Sequence, residues 1–103
     1  MSTVNVLLRI HRNKRDEFLQ TVQSIQNGLR EESGLKKTTL YQDMNDPAVF
    51  HFIEEWTSQD FMERYIRSER FSVLMGALKV LCAEAEVTYQ LGSGKLGEKI
   101  VEV

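Results

Sequence analysis

Alternation of apolar and polar residues predicts strands near both ends of the chain. Over residues 3–11 every second residue is apolar, and over residues 84–91 the same two-residue period returns. Successive side chains of a strand point to opposite faces of a sheet, so this period is typical of a strand with one buried face. We therefore predict a first strand over 3–11 and a fourth over 84–91.

Between these strands, apolar residues recur at spacings of three and four, which predicts helices. The first seam predicts a helix over about 14–32, and Gly34 follows it as a natural stop. The second seam falls into two pieces with a hinge near 67–68, and Thr57 or Ser58 is placed to cap the first piece. The seams consist of Phe18, Val22, Ile25 and Leu29, then Phe61, Met62, Tyr65 and Ile66, and then Phe71, Leu74, Leu78 and Leu81.

The middle of the chain predicts a hairpin of two strands. Residues 35–43 have a weaker strand pattern, Pro47 lies in a turn that interrupts the ladder, and residues 49–56 form the next strand. Large side chains alternate to both faces of this third strand, with Phe50, Phe52 and Trp56 on one face and Val49, His51 and Ile53 on the other. Such a strand belongs at the centre of a sheet, covered on both sides.

The predicted order is strand, helix, strand, strand, helix, strand, which is the split β-α-β arrangement of ferredoxin-like α+β domains. In that topology the sheet is antiparallel, the first and third strands are central, and the helices lie on one face. A chain of 103 residues fits one domain, which we assign to residues 1–92. Residues 93–103 form a C-terminal tail at a flexible Gly-Ser-Gly joint.

The sequence also predicts a homodimer. Two helices can cover only one face of a four-stranded sheet, and apolar residues such as Val4, Ile53 and Val87 suggest that the second face is apolar too. Leaving half a dozen such side chains in water would forgo about 1.5 to 3 kcal/mol each, more than a small domain can spare. We expect a second copy to cover this face about a two-fold axis, with the tail available to pair with the partner.

Composition narrows the range of partners. The chain is 42% hydrophobic and 27% charged, its formal net charge is −2, and its longest basic run is the pair Lys36 and Lys37. It therefore offers no electrostatic footprint for nucleic acid or for an anionic membrane. No leader pattern and no membrane-spanning stretch is evident. Because its single cysteine, Cys82, suits a reducing compartment, we expect a cytoplasmic protein.

Two segments in the middle of the chain resemble a known family. Residues 50–60, FHFIEEWTSQD, end a strand on Glu-x-Trp before a serine-containing helix cap, and residues 65–71, YIRSERF, contain Ser-x-x-Phe. Both are similar to the central signature of the antibiotic biosynthesis monooxygenase family, and the resemblance implies a dimeric α+β barrel. Members act as quinol or polyketide monooxygenases without metal or flavin, while related members degrade haem, process a signalling sugar phosphate or have no assigned activity. The fold therefore leaves the reaction open.

The resemblance implies a cofactor-independent monooxygenase that acts on a quinol-like or polycyclic phenolic substrate. Such a reaction needs an electron-rich phenol that passes an electron to dioxygen once it is deprotonated. The protein must then supply a dry apolar pocket, a proton acceptor and a few positioning polar groups. The alternative is a non-catalytic dimeric module of the same fold that binds a small apolar or aromatic molecule or a partner protein.

Asn5, Trp56 and Tyr65 are the candidate catalytic residues, lining a pocket between sheet and helices. Asn5 interrupts a strand suited to burial and, by the resemblance, matches an asparagine of haem-degrading relatives, although a hydrogen-bonded amide at a strand end explains it equally well. Trp56 is either an aromatic wall of the pocket or plain core. Tyr65 stands where many quinol-oxidising members have histidine, and its phenol can hydrogen-bond a substrate oxygen.

The candidate substrate-binding residues are Glu54, Phe52, Phe71 and Met75. Glu54 shares a strand face with Trp56 and is either a carboxyl group with a raised pKa or an exposed or helix-capping charge. By the resemblance, Met75 takes the place of the axial histidine of haem-degrading members, and Arg70 takes that of a second family histidine. The resemblance thus argues against haem degradation.

The sequence offers little for a metal ion or a nucleophile. His11 and His51 lie on strands that should be neighbours, but no third ligand is evident. Cys82 has no basic activator nearby and fits an inert buried thiol. We therefore expect neither a metal nor a cofactor.

Overall fold

The computed structural model describes residues 2–91 in full and residues 96–102 as backbone. In chain order the elements are β1 (Ser2–Ile10), a 3-10 turn (Arg12–Lys14), α1 (Arg15–Leu29), β2 (Leu35–Gln42), β3 (Val49–Trp56), α2 (Gln59–Ile66), α3 (Glu69–Leu81), β4 (Cys82–Gln90) and β5 (Leu96–Glu102). Every predicted strand and helix is present, and the second helical seam does break at 67–68. No helix in the described part of the chain is long and apolar enough to cross a membrane.

The strands form one antiparallel sheet in the order β2-β3-β1-β4-β5. The first four strands have the ferredoxin-like order, so the predicted fold class is confirmed, with β1 and β3 inside the sheet. Val6 of β1 lies opposite Phe52 of β3 on one side and Val87 of β4 on the other. This register places the three side chains on one face, where all are buried.

The hydrophobic core lies between this face and the helices. Alternate residues of β1, β3 and β4 point into it, and α1, α2 and α3 contribute their apolar seams. The helical residues of the core are Phe18, Val22, Leu29, Met62, Tyr65, Phe71, Leu74, Met75, Leu78 and Leu81. Both predicted helical seams therefore pack where the period of their apolar residues indicated.

The opposite face of the sheet, which we call the open face, is less apolar than the sequence suggested. Val4 and Val87 lie under the helices, so counting them toward a second apolar face was wrong. The open face instead mixes apolar and polar side chains; its central residues are Asn5, Leu7, Arg9, Val49, His51, Ile53, Glu86 and Thr88. Leu7 is 54% exposed at its centre.

The C-terminal segment adds a fifth strand at the sheet edge. The backbone of β5 pairs antiparallel with β4 of the same chain, with Val101 opposite Val87. The sequence-based division at residue 92 had left the position of this strand open. Pairing of the tail with a partner subunit stays a prediction.

Gly34 fixes how the turn after α1 meets α2. Its φ of 84° lies in the left-handed region, which glycine adopts without steric cost. A Cβ atom at this position would lie 2.3 Å from Cγ of Phe61, so only a residue without a side chain fits beneath that ring. The glycine predicted from the sequence to end α1 is therefore also the position against which Phe61 of α2 packs.

Candidate functional site

Glu54 is a fully buried carboxyl group in the middle of a central strand. It lies opposite Val4 of β1 and Thr38 of β2, and its exposed fraction is 0%. Burial penalises the charged form and raises the pKa of Glu54 to about 8, against a smaller opposing effect from its hydrogen bond with Tyr65. The expectation of a raised pKa agrees with this environment, and the alternative of an exposed or helix-capping charge is wrong.

Tyr65 joins this carboxyl group to an aromatic cluster. From the last turn of α2 its hydroxyl donates a hydrogen bond of 2.9 Å to Oε2 of Glu54. Its ring stacks on Trp56 with 4.8 Å between the ring centroids, and it forms a T-shaped pair with Phe71 at a centroid distance of 5.2 Å. Burial, together with the neighbouring Glu54 carboxyl group, raises the pKa of Tyr65 well above its usual value.

Two polar atoms of this cluster are buried without a hydrogen-bond partner. They are Oε1 of Glu54 and Nε1 of Trp56, on side chains two residues apart on one face of β3. A buried polar atom left unpaired costs about 1 to 3 kcal/mol, and such atoms are rare in folded proteins. The cluster therefore has one carboxyl oxygen and one indole N–H to offer to a bound molecule.

The break between α2 and α3 holds Tyr65 in place. Ser68 caps α3, since its Oγ accepts a hydrogen bond from the Phe71 amide at 3.2 Å. The same hydroxyl donates to the backbone carbonyl of Tyr65 at 2.6 Å. The hinge and the Ser-x-x-Phe motif are evident in the sequence, but this second role is not, because it depends on the two helix ends meeting.

A surface cleft of about 330 Å³ reaches Tyr65 from solvent, and we call it the Tyr65 cleft. Its lining residues are Glu31, Glu32, Ser33, Phe61, Arg64, Tyr65 and Ser68. Beside it, Arg70 lies 3.2 Å from a carboxylate oxygen of Glu32 and donates to the carbonyl of Gly28, tying α3 to the end of α1. This volume is at the lower end of the range of small-molecule pockets.

The other predicted site residues lie around this cluster or apart from it. Phe52 and Met75 are buried in the same core, and Phe52 lines a separate apolar space of only about 10 Å³. Asn5 is on the open face, where its Nδ2 donates to Oγ1 of Thr3 at 3.0 Å and it lines a cleft with Leu7 and His51. The structure thus unites Trp56 and Tyr65 with Glu54 and Phe71, and it does not bring Asn5 to them.

The candidates for metal or thiol chemistry stay apart from the cluster. Within the described ranges, no three histidine, cysteine, aspartate or glutamate side chains are placed to hold a metal ion together. Cys82 starts β4, and burial raises the pKa of its thiol to about 11. Its thiolate is therefore scarce at neutral pH.

The sequence matches one known protein family over most of its length. The model of a family described as antibiotic biosynthesis monooxygenase matches residues 1–76, about three-quarters of the 103 residues. This stretch contains Glu54, Trp56, Tyr65 and Phe71. Among curated proteins, no sequence matches at a significant level.

Several solved structures share the fold. A conserved protein of Methanosarcina mazei Go1 is 22% identical with a TM-score of 0.78, over 87% of this chain and 90% of the other. A candidate antibiotic biosynthesis monooxygenase from Deinococcus radiodurans is 20% identical with a TM-score of 0.79, over 98% and 97%. An asparagine-to-alanine mutant of SnoaB, a cofactor-independent oxygenase from Streptomyces nogalater, is 20% identical with a TM-score of 0.78, over 94% and 97%. At these identities the likeness concerns the fold alone.

Proposed function

The chain belongs to the antibiotic biosynthesis monooxygenase family, and from that premise we propose that it is a cofactor-independent monooxygenase acting on a quinol-like or polycyclic phenolic substrate. The observation that carries the proposal is the buried carboxyl group of Glu54, bonded to a phenol and walled by Trp56 and Phe71. SnoaB, a structural relative with the same fold, is itself a cofactor-independent oxygenase, which supports the reaction class.

The pKa of Glu54 suits the first chemical step. A phenol has a reference pKa near ~10, so a carboxylate with an ordinary pKa near ~4 would be too weak a base to take its proton. Burial raises the pKa of Glu54 to about 8 and closes most of that gap. A base matched to its substrate in this way is typical of general-base catalysis.

The proposed reaction converts a hydroquinone and dioxygen into a hydroxyquinone and water. Glu54 takes the phenolic proton, and the electron-rich ring then reduces dioxygen to a peroxide bonded to a ring carbon. The O–O bond breaks, the outer oxygen leaves as water with the proton returned by Glu54 and the hydrogen from the ring carbon, and the inner oxygen stays as a carbonyl. One oxygen atom is thus incorporated, the ring is oxidised by the dioxygen, and no other reductant is needed.

The aromatic neighbours supply the surroundings that this reaction needs. Trp56 and Phe71 hold the substrate ring, and the indole N–H of Trp56 is a free donor for its second oxygen. Phe52 and Met75 keep the neighbouring core dry. Excluding water strengthens the contact between carboxylate and phenol and protects reduced oxygen intermediates.

Oxygen uptake with a panel of hydroquinones tests the proposal. We expect protein-dependent consumption of dioxygen, a product carrying one ¹⁸O atom from ¹⁸O₂, and a rate that rises as the pH passes through about 8, since Glu54 must be ionised. Glu54→Gln should lower the rate by about 10²-fold or more.

The matched control is Glu55→Gln, which removes the adjacent carboxylate from the open face and should leave the rate unchanged. Because quinols oxidise in air without protein, each rate is measured against a protein-free blank. Equal rates with and without protein across the panel would contradict the proposal.

The packing of the cluster favours the second candidate function, a non-catalytic module that binds a small aromatic or apolar molecule. The Tyr65 ring fills the space against Trp56 and Phe71, and its hydroxyl already occupies one carboxyl oxygen of Glu54. This candidate predicts saturable binding of phenols with no protein-dependent uptake of dioxygen. The hydroquinone panel therefore separates the two functions.

For the assembly we propose a homodimer through the open face. The support is a set of half-buried or exposed apolar side chains on this face, with Leu7 at its centre and Tyr41 on the edge strand β2 each 54% exposed. Three neighbouring clefts are each lined in part by Leu7, so this face is irregular. Side chains of a second surface could pack into these clefts. A two-fold axis would let the same patch cover itself.

A further inference from the structure

The side chain of Tyr65 is itself a phenol bound in the candidate site. Its hydroxyl donates a hydrogen bond to the Glu54 carboxyl group at 2.9 Å, its face stacks on Trp56, and its ring forms a T-shaped pair with Phe71. These are the contacts that the proposed function requires for a phenolic substrate: a proton acceptor at the oxygen and aromatic walls about the ring. The protein's own tyrosine therefore occupies the place where a substrate ring would react.

We propose that Tyr65 is an internal plug which a single phenol ring of the substrate displaces, taking over its contacts with Glu54, Trp56 and Phe71. The proposal rests on the proposed function for the role of Glu54 and deepens it by naming the recognised group. That group is one hydroxylated six-membered ring, presented with its hydroxyl first. Any further rings of a polycyclic substrate stay in the Tyr65 cleft.

The surroundings of Tyr65 give the displaced ring a place to go. Tyr65 already forms part of the wall of the Tyr65 cleft, which is open to solvent. It lies in the last turn of an eight-residue helix that ends at Ile66, where the chain turns before α3 begins. A rotation of the side chain, with a small shift of that turn, moves the ring from the core into the cleft.

When the substrate phenol displaces Tyr65, it restores most of the contacts that Tyr65 gives up. When a phenol replaces Tyr65, the carboxyl group of Glu54 regains a hydroxyl donor and Trp56 regains a stacked ring. The unpaired Nε1 of Trp56 remains available for a second oxygen on the incoming ring, which tyrosine does not carry. A hydroquinone therefore has a hydrogen bond to gain that the plug cannot make.

The test uses p-cresol, which has the structure of the tyrosine side chain, with Trp56 as the probe. Trp56 is the single tryptophan of the chain, so its fluorescence reports directly on the ring stacked against it. Titrations run without oxygen. Tyr65→Phe keeps the stacked ring but removes its bond to Glu54, so we expect p-cresol to bind this variant about fivefold or more tightly than the wild type.

Two controls define the result. Tyr41→Phe removes the same hydroxyl from the exposed open face and should leave the affinity for p-cresol unchanged. Toluene has the shape of p-cresol without the hydroxyl, and we expect it to bind both wild type and Tyr65→Phe about fivefold more weakly than p-cresol does. A crystal structure with p-cresol should have Tyr65 turned into the cleft.

Equal affinity of wild type and Tyr65→Phe for p-cresol would overturn the plug, as would a bound p-cresol beside an intact bond between Tyr65 and Glu54. The plug and the proposed monooxygenase function can fail independently of each other. Tighter binding without oxygen uptake from hydroquinones would retain the plug and reject the oxygenase. Oxygen uptake with no gain in affinity in Tyr65→Phe would do the reverse.

Discussion

At the scale of single residues, Glu54 links the stability of the protein to its proposed chemistry. The carboxyl group is fully buried, and it holds its proton up to a pH of about 8. In the unfolded chain the same group loses its proton near its ordinary pKa of 4.5. The folded state therefore binds one more proton than the unfolded state between these two pH values.

This difference predicts how stability depends on pH. Because the folded-state pKa of Glu54 is raised, its contribution is fully present below pH 4.5 and is lost as the pH rises toward about 8. We expect the free energy of unfolding to fall across this window by a few kcal/mol, at up to ~1.4 kcal/mol per pH unit. Urea unfolding at a series of pH values measures it.

Glu54→Gln serves as the comparison for this effect, because glutamine keeps the size and the oxygen acceptor for Tyr65 and cannot ionise. The free energy of unfolding of this variant should be nearly flat between pH 5 and 8 relative to the wild type. The wild type should therefore lose stability against the variant as the pH rises. If both proteins follow the same pH profile, Glu54 is not a buried neutral acid.

At the scale of secondary-structure elements, the break between α2 and α3 decides where the site residues lie. In a single continuous helix, the helical period would place Tyr65 and Phe71 on different sides of the axis. The turn at Arg67 allows both rings to meet, and Trp56 completes the cluster from β3. The hydroxyl of Ser68 holds this turn from both sides.

Ser68→Ala tests the role of this turn. The substitution removes the cap of α3 and the bond to the Tyr65 carbonyl, so we expect a loss of about 1 to 2 kcal/mol in the free energy of unfolding. A changed emission of Trp56 in the folded state should accompany the loss, because Tyr65 is no longer held. Urea unfolding followed by fluorescence measures both.

The control for the turn is Ser72→Ala, an exposed position one turn further along α3. Alanine favours a helix interior slightly more than serine, so this variant should be as stable as the wild type or marginally more so. Equal stability of Ser68→Ala and Ser72→Ala would mean that the capping hydroxyl contributes nothing.

At the scale of the whole molecule, the open face is the surface through which the proposed homodimer forms. The helices cover one face of the sheet, and Leu7 lies at the centre of the other among polar neighbours such as Asn5 and His51. A mixed surface of this kind costs less to expose than the wholly apolar face expected from the sequence. The proposed dimer therefore rests on a mixed surface with Leu7 at its centre, and subunit interfaces commonly combine apolar contacts with hydrogen bonds in this way.

Leu7→Glu tests the dimer. At micromolar concentration we expect light scattering to give the wild type twice the chain mass of 11.9 kDa, and the variant a single chain mass, because two carboxylates would be buried about the axis. Circular dichroism should remain unchanged. Val73→Glu, at an exposed position of α3, is the control and should stay dimeric. A monomeric wild type would reject the proposal.

The sequence by itself determined the elements and their order, because the periods of two and 3.6 residues are local properties of the chain. The predicted range of β3, residues 49–56, is the range found in the structure. The break after α2 was also predicted, because the apolar seam changes phase there. The alternation in β1 likewise determined that Asn5 points away from Val4 and Val6. Trp56 and Glu54 were correctly placed on one face by the same alternation.

Only the tertiary structure decided which face the helices cover, and several site assignments depend on that choice. It buried Glu54 and raised the pKa of its carboxyl group, and it left Asn5 on the open face. The bond from Tyr65 to Glu54 joins residues eleven positions apart on different elements, so no local period encodes it. Desolvation and contacts of this kind arise from packing, and they are what join a tyrosine of a helical seam to a buried carboxyl group of the sheet.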